Sequence, residues 1–142
     1  MCFTDLTKKA LVISFNAHKE QVDKSGTPYV YHPYRVAEQM NDEYSTCVAL
    51  LHDVVEDTDI TIAELKNEGF PQEVLDAIAL MTHNDDTPYF DYIKRIKTNP
   101  IATAVKLADL QDNSNYERLD KVEIKDLQRL EKYREAKRIL SE

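Results

Sequence analysis

Glycine is scarce in this sequence, with 2 residues among 142, and proline supplies only 5. A small β-protein needs many tight turns, and those turns draw heavily on these two residues. The scarcity therefore argues for helices. Cysteine is as sparse: Cys2 and Cys47 stand far apart with no CxxC spacing. They read as ordinary thiols of a reducing compartment, with no disulfide framework. Long apolar runs are missing as well. Met1 to Lys9 holds none, and no later stretch approaches a membrane span. The expectation is a cytoplasmic protein with no membrane partner. Positive charge is in deficit, since 18 Lys and Arg face 26 Asp and Glu for a formal net charge of -8. Such a chain repels phosphate backbones at long range, which disfavours a nucleic-acid polymer as partner. A small anionic substrate remains compatible with it where cations or a metal gather locally.

What is present is ordinary for a globular protein: 42% hydrophobic and 31% charged residues. The length suits one domain that buries most of its unfolded surface. No repeat, low-complexity tract or linker interrupts it, so residues 1–142 read as a single, compact, all-α domain.

Helical periodicity recurs along the chain. Leu6, Ala10, Ile13 and Ala17 mark a first helix from Asp5 to about Lys24, capped by Asp5 or Thr4. Ser25-Gly26-Thr27-Pro28 breaks it, and an extended stretch from Tyr29 to Tyr31 leads to His32-Pro33, the start of a second helix reaching about Met40. Ser45 can cap a third, with Val48, Ala49, Leu51 and Val55 as its core around His52-Asp53. Thr61 and Glu64 form a capping-box pattern for a fourth that stops at Gly69. Phe70, Val74, Ile78 and Met81 mark a fifth beginning near Pro71, and Tyr89, Ile93 and Ile96 a sixth. Asn99-Pro100 opens a seventh with the stripe Ile101, Val105 and Ala108. A C-terminal helix over about 121–141 carries Ile124, Leu127, Leu130, Tyr133, Ala136 and Leu140 on one face.

Against this background His52-Asp53 is conspicuous, because it sits inside the apolar run from Val48 to Val55. Desolvating such groups costs several kcal/mol, of the order tabulated for unpaired polar side chains, unless they are paired or ligate a metal. His32 begins another helix, and Asp109 flanks the stripe of the seventh. Imidazole nitrogens with carboxylate oxygens suit a divalent ion such as Mn²⁺, Fe²⁺, Zn²⁺ or Co²⁺. Glu56-Asp57 follows His52-Asp53 by one helical turn, where carboxylates can position or deprotonate a water. Asn113 lies one turn beyond Asp109, and Lys24, Arg35 and Lys106 are nearby cations suited to phosphate oxygens. Each residue alone reads more readily as a cap, a core hydrogen bond or a solvated surface group. The joint pattern carries the argument.

That pattern resembles the HD-domain metal-dependent phosphohydrolases. Three segments narrow the resemblance: Ser25-Gly26-Thr27-Pro28-Tyr29 leading to His32-Pro33, then Leu50-Leu51-His52-Asp53-Val54-Val55-Glu56-Asp57-Thr58, then Val105-Lys106-Leu107-Ala108-Asp109. They are similar to the hydrolase domain of the stringent-response alarmone synthetase/hydrolases and of stand-alone small alarmone hydrolases, over about Ala10 to Asn113. The resemblance implies a helical fold with a central Mn²⁺ held by His32, His52, Asp53 and Asp109. It also implies Glu56 and Asp57 as the catalytic pair, Asn113 as a nucleotide contact, and guanosine 3′,5′-bispyrophosphate (ppGpp) as a nucleotide substrate cut at its 3′-pyrophosphate; Lys24, Arg35 and Lys106 join Asn113 as substrate-binding candidates because their cations stand close to these segments. At Gln21-Val22-Asp23-Lys24 the chain departs from the family, with an acid where an Arg stacks on guanine. That departure implies weaker base discrimination, and an Asp23→Arg exchange is expected to improve kcat/KM for the guanosine substrate if Lys24 and Asn113 already form the rest of the pocket. Two alternatives stay open: the same site acting on another nucleotide or small phosphoester, and a non-catalytic metal-binding helical interaction module. The sequence leaves the oligomeric state undetermined.

Overall fold

Caps set several of the helix starts. The computed structural model describes residues 1–115, 119 and 121–142. Its first helix, α1 (Asp5–His18), starts at a Thr4–Thr7 capping box. There follow α2 (Tyr31–Glu38), α3 (Glu43–Leu51), α4 (Val54–Asp57), α5 (Ile62–Asn67), α6 (Gln72–Met81), α7 (Tyr89–Ile96), α8 (Pro100–Asn113) and α9 (Ile124–Ser141). The described residues contain no strand, only an isolated bridge between Val22 and Pro28. The all-α expectation is borne out, and no described helix is long and apolar enough to cross a membrane.

Several boundaries differ from the sequence reading, each for a local reason. The first helix ends at His18 rather than Lys24, because the chain there enters a closed loop. Gln21 N–H donates to the His18 carbonyl, Asp23 and Thr27 pair through their backbones, and Gly26 takes a φ of 82° that L side chains disfavour. Tyr31 is already the first residue of α2, not the end of an extended stretch. Asp42, not Ser45, caps α3: its carboxylate accepts the Ser45 N–H at 2.9 Å, while Ser45 itself is buried. The C-terminal helix buries Asp126, Ala136, Ile139 and Leu140, whereas Ile124 and Leu127 are 75% and 55% exposed.

The largest difference lies at His52-Asp53. The periodic run predicts one continuous helix, but α3 stops at Leu51, His52 and Asp53 form a kink, and α4 restarts at Val54. Every residue of α3 from Ser45 to Leu51 is buried. A helix buried all round must lie at the centre, and α3 packs against α1, α2, α6 and α8. Its C-terminal end therefore delivers His52 to the interior.

Candidate active site

Three elements converge on one point. His32 comes from the first turn of α2, His52 and Asp53 from the kink after α3, and Asp109 from the third turn of α8. Each offers one ligand atom, and these four atoms lie within 4.8 Å of one another. His32 Nε2 stands 2.8 Å from Asp109 Oδ1 and 3.6 Å from Asp53 Oδ2. His52 Nε2 stands 3.2 Å and 3.1 Å from the same two oxygens. Nitrogen and oxygen ligands bind transition ions at about 2.0–2.2 Å, so neighbouring ligands at right angles sit about 3 Å apart. The cluster has the spacing and the donor chemistry for one divalent ion. His32, His52 and Asp109 are 3%, 2% and 4% exposed, so the centre is sheltered from bulk water.

The outer atoms of these side chains are held too. His52 Nδ1–H donates to the Ala49 carbonyl at 2.6 Å. His32 Nδ1–H donates to Asp112 Oδ2 at 2.7 Å, and Asp112 in turn accepts both Arg35 Nε–H and Nη2–H, at 2.7 and 2.9 Å. Both imidazoles thus aim Nε2 inward, the arrangement in which an outer acceptor fixes a ligating ring. Tyr29 Oη–H donates to Asp53 Oδ2 at 2.5 Å. Lys106 Nζ and Asn113 Nδ2 donate to the two oxygens of Asp109 at 3.0 and 3.2 Å.

Charge is redistributed accordingly. Burial alone would depress His32, but its bonds to Asp109 and Asp112 outweigh this and lift it to about 9. Burial likewise opposes the charge on His52, and the carboxylates of Asp53 and Asp109 raise it well above the ordinary range. Burial would raise Asp53, yet the facing His52 holds it down at about 2. Asp109 is held well below the carboxylate range against its burial, by Lys106 and His52. Without a metal, paired imidazolium and carboxylate groups fill the centre.

Glu56 and Asp57 lie on α4 at the open side of this cluster, and both are exposed. Burial of part of each carboxyl raises both above the ordinary value. For Glu56 a hydrogen bond from the His83 backbone opposes the shift, and for Asp57 the charge of Asp53 adds to it. A cavity of about 330 Å³ is lined by Asp23, Lys24, Ser25, Tyr29, Asn113, Arg129 and Tyr133, among others. Two of its lining residues, Tyr29 and Asn113, donate to Asp53 and Asp109, so the cavity adjoins the cluster.

The structure assigns the sequence-predicted residues to different places. Lys24 and Asn113 line the cavity, although Lys24 Nζ also reaches Asp126 at 3.3 Å. Lys106 lies against Asp109 beneath the site. Arg35 does not line this cavity: its Nε–H and Nη2–H are both taken by Asp112, which bears on His32. Asp23 Oδ1 accepts Ser25 N–H, Ser25 Oγ–H and Thr27 N–H, at 2.8, 2.7 and 3.0 Å, which organises the loop. An Asp23→Arg exchange would remove that support from the loop. Sequence reasoning missed Tyr29, Asp112, Arg129 and His83. Only Asp112 carried a signal, standing one turn from Asp109 and so able to support what Asp109 faces.

No family model matches the chain. It is 47% identical over 74 residues to a GTP pyrophosphokinase of Myxococcus xanthus, covering 49% of this chain and 10% of that protein. It is 33% identical over 118 residues to a guanosine-3′,5′-bis(diphosphate) 3′-pyrophosphohydrolase of Aquifex aeolicus, covering 75% of this chain and 17% of that protein. The chain thus spans a small part of the curated relatives it matches. Among solved structures, a metazoan orthologue of SpoT described as hydrolysing ppGpp superposes with a TM-score of 0.78 at 22% identity, covering 99% of this chain and 88% of that one. At that identity the likeness speaks for the fold. Together these findings bear out the resemblance read from the motifs.

Proposed function

We propose that this chain, an HD-type domain similar to the alarmone hydrolases, hydrolyses the 3′-pyrophosphate of guanosine 3′,5′-bispyrophosphate with one Mn²⁺ at His32, His52, Asp53 and Asp109. The observation that carries the reading is the coincidence of three features at one place: the four-donor cluster, the exposed Glu56-Asp57 pair and a cation-bearing cavity of nucleoside size. A divalent ion held there supplies Lewis acidity toward water and a phosphoryl oxygen. Glu56 and Asp57, with raised affinity for protons, orient the attacking water and take up its proton. A purely structural metal site has no use for such spare carboxylates. The products are the 3′-hydroxyl nucleoside diphosphate and pyrophosphate.

In the cavity Lys24 and Asn113 address the nucleotide, and Arg129, arriving from α9, supplies the planar guanidinium that position 23 lacks. One of its nitrogens, Nη1, is buried and makes no hydrogen bond among the described residues, its nearest carboxylate oxygen standing at 3.6 Å on Asp126. A guanidinium can stack on a base or clasp a phosphate. The Mn²⁺-loaded protein is expected to release pyrophosphate from guanosine 3′,5′-bispyrophosphate and to lose that activity with EDTA. Inertness toward it, with cleavage of a different phosphoester, would reject the alarmone substrate and keep the metal hydrolase. Inertness toward every phosphoester tested would favour a non-catalytic module.

A further inference from the structure

The segment between α6 and α7, Met81-Thr82-His83-Asn84-Asp85-Asp86-Thr87, contributes no ligand and does not line the cavity, yet it touches the chemistry. His83 backbone N–H donates to Glu56 Oε1 at 2.6 Å, across 27 residues of sequence. Glu56 is exposed, and a free glutamate side chain samples many rotamers, which fixing it must overcome. A backbone donor removes that freedom only if the backbone itself is fixed.

His83 is fixed on two sides by its own ring. Its Nε2–H donates to the Thr87 carbonyl at 2.7 Å, across the mouth of the turn. The ring also stacks on Tyr92, with centroids 4.5 Å apart and planes 23° from parallel. Tyr92 is in turn buried, and its Oη–H donates at 2.7 Å to the carbonyl of Met81, the residue that ends α6. The turn closes on itself through Thr87 N–H to the Asn84 carbonyl at 2.9 Å. The imidazole thus ties the start of the turn to its end and to α7, and the N–H aimed at Glu56 belongs to the same residue.

We infer that His83 is a positioning residue for Glu56: its ring clamps the 82–87 turn so that the backbone N–H holds Oε1, leaving Oε2 for water. This rests on the role given to Glu56 above. Proton transfer needs the base within hydrogen-bond reach of its target, and a misplacement of about 1 Å can cost up to about a hundredfold in rate. The clamp acts on turnover; its one link toward the four donors is indirect, through the Tyr92 ring, which lies 5.3 Å from Lys106 Nζ, itself a donor to Asp109.

The test is a double-mutant cycle on the Mn²⁺-loaded protein with guanosine 3′,5′-bispyrophosphate. His83→Ala is expected to lower kcat by about tenfold or more, with KM and Mn²⁺ affinity unchanged. In the Glu56→Gln background the same change is expected to add almost nothing, because residues acting as a unit are not additive. His83→Phe, which retains a ring against Tyr92 but loses the Nε2 donor, should fall between parent and His83→Ala, and it carries the test if His83→Ala does not fold. Parental kcat in both His83 variants would overturn the inference, and so would an equal loss with and without Glu56→Gln. If Glu56→Gln itself keeps the parental rate, the role of Glu56 falls, and this inference falls with it. A slow Glu56→Gln beside parental His83 variants would remove this inference alone.

Discussion

Arg35 and Asp112 illustrate how partners decide the work of a charged side chain. From sequence, Arg35 is a loose cation beside a metal ligand. In the fold Asp112 takes its fork at 2.7 and 2.9 Å and passes the restraint to His32 Nδ1. Burial would raise the Asp112 carboxyl, but His32 and Arg35 hold it well below the carboxylate range, so it stays an acceptor at any physiological pH. Losing such a support commonly costs about 10–100-fold in metal affinity. Asp112→Ala should therefore weaken Mn²⁺ binding by about that factor in calorimetric titration. Arg35→Ala should weaken it less and leave KM for the nucleotide unchanged. A raised KM with parental Mn²⁺ affinity in Arg35→Ala would restore Arg35 as a phosphate ligand. The four donors themselves were legible because ionisable groups in or beside apolar stripes demand an explanation. Asp23 was not, since nothing in its spacing shows that three donors of the following loop close on one carboxylate oxygen.

At the scale of elements, caps and periodicity located the helices but not what they carry. Thr61 caps α5 by accepting Glu64 N–H, and Asn99 caps α8 by accepting Ala102 N–H, as the motifs predict. The break between α3 and α4 escaped, because an apolar run reads as one helix whether or not a polar pair kinks it. The C-terminal helix escaped differently. Its apolar residues suggest one buried face, yet Ile124 and Leu127 stay exposed, and Arg129 lines the cavity. Helix α9 packs on α7 and α8, closing the core with Ala136, Ile139 and Leu140 and walling the cavity with Arg129 and Tyr133. Hydrogen bonds to charged groups are worth about 1.5–3 kcal/mol. Arg129→Ala should accordingly raise KM for guanosine 3′,5′-bispyrophosphate by roughly 10-fold or more, with Mn²⁺ content and kcat near parental. An unchanged KM would remove α9 from substrate recognition.

For the molecule as a whole, protons and metal compete for one centre. In the metal-free protein His32 is raised from its ordinary 6.5 to about 9, and His52 is raised as well. A raised histidine stabilises the fold fully below its unfolded value and loses that contribution as pH climbs through the folded one. Metal-free stability should thus decline between about pH 6.5 and 9 in a melting series. The metal requires neutral rings, so Mn²⁺ binding at pH 7 should release protons, and its affinity should rise across the same range. Calorimetry in buffers of different ionisation enthalpy reads that release directly. Binding without proton release would mean that the imidazoles are not the ligands. The overall charge of -8 calls for local cations beside an anionic substrate, and Lys24 and Arg129 both line the cavity, a grouping that no sequence count reveals.

The central claim is that α2, the α3–α4 kink and α8 together build a centre for one ion. Its most direct measurement is an anomalous-difference map from crystals of the protein grown with Mn²⁺. The account predicts one dominant peak among His32 Nε2, His52 Nε2, an Asp53 oxygen and an Asp109 oxygen, lost in His52→Ala. An empty centre in crystals saturated with Mn²⁺, or a peak held by other residues, would contradict it.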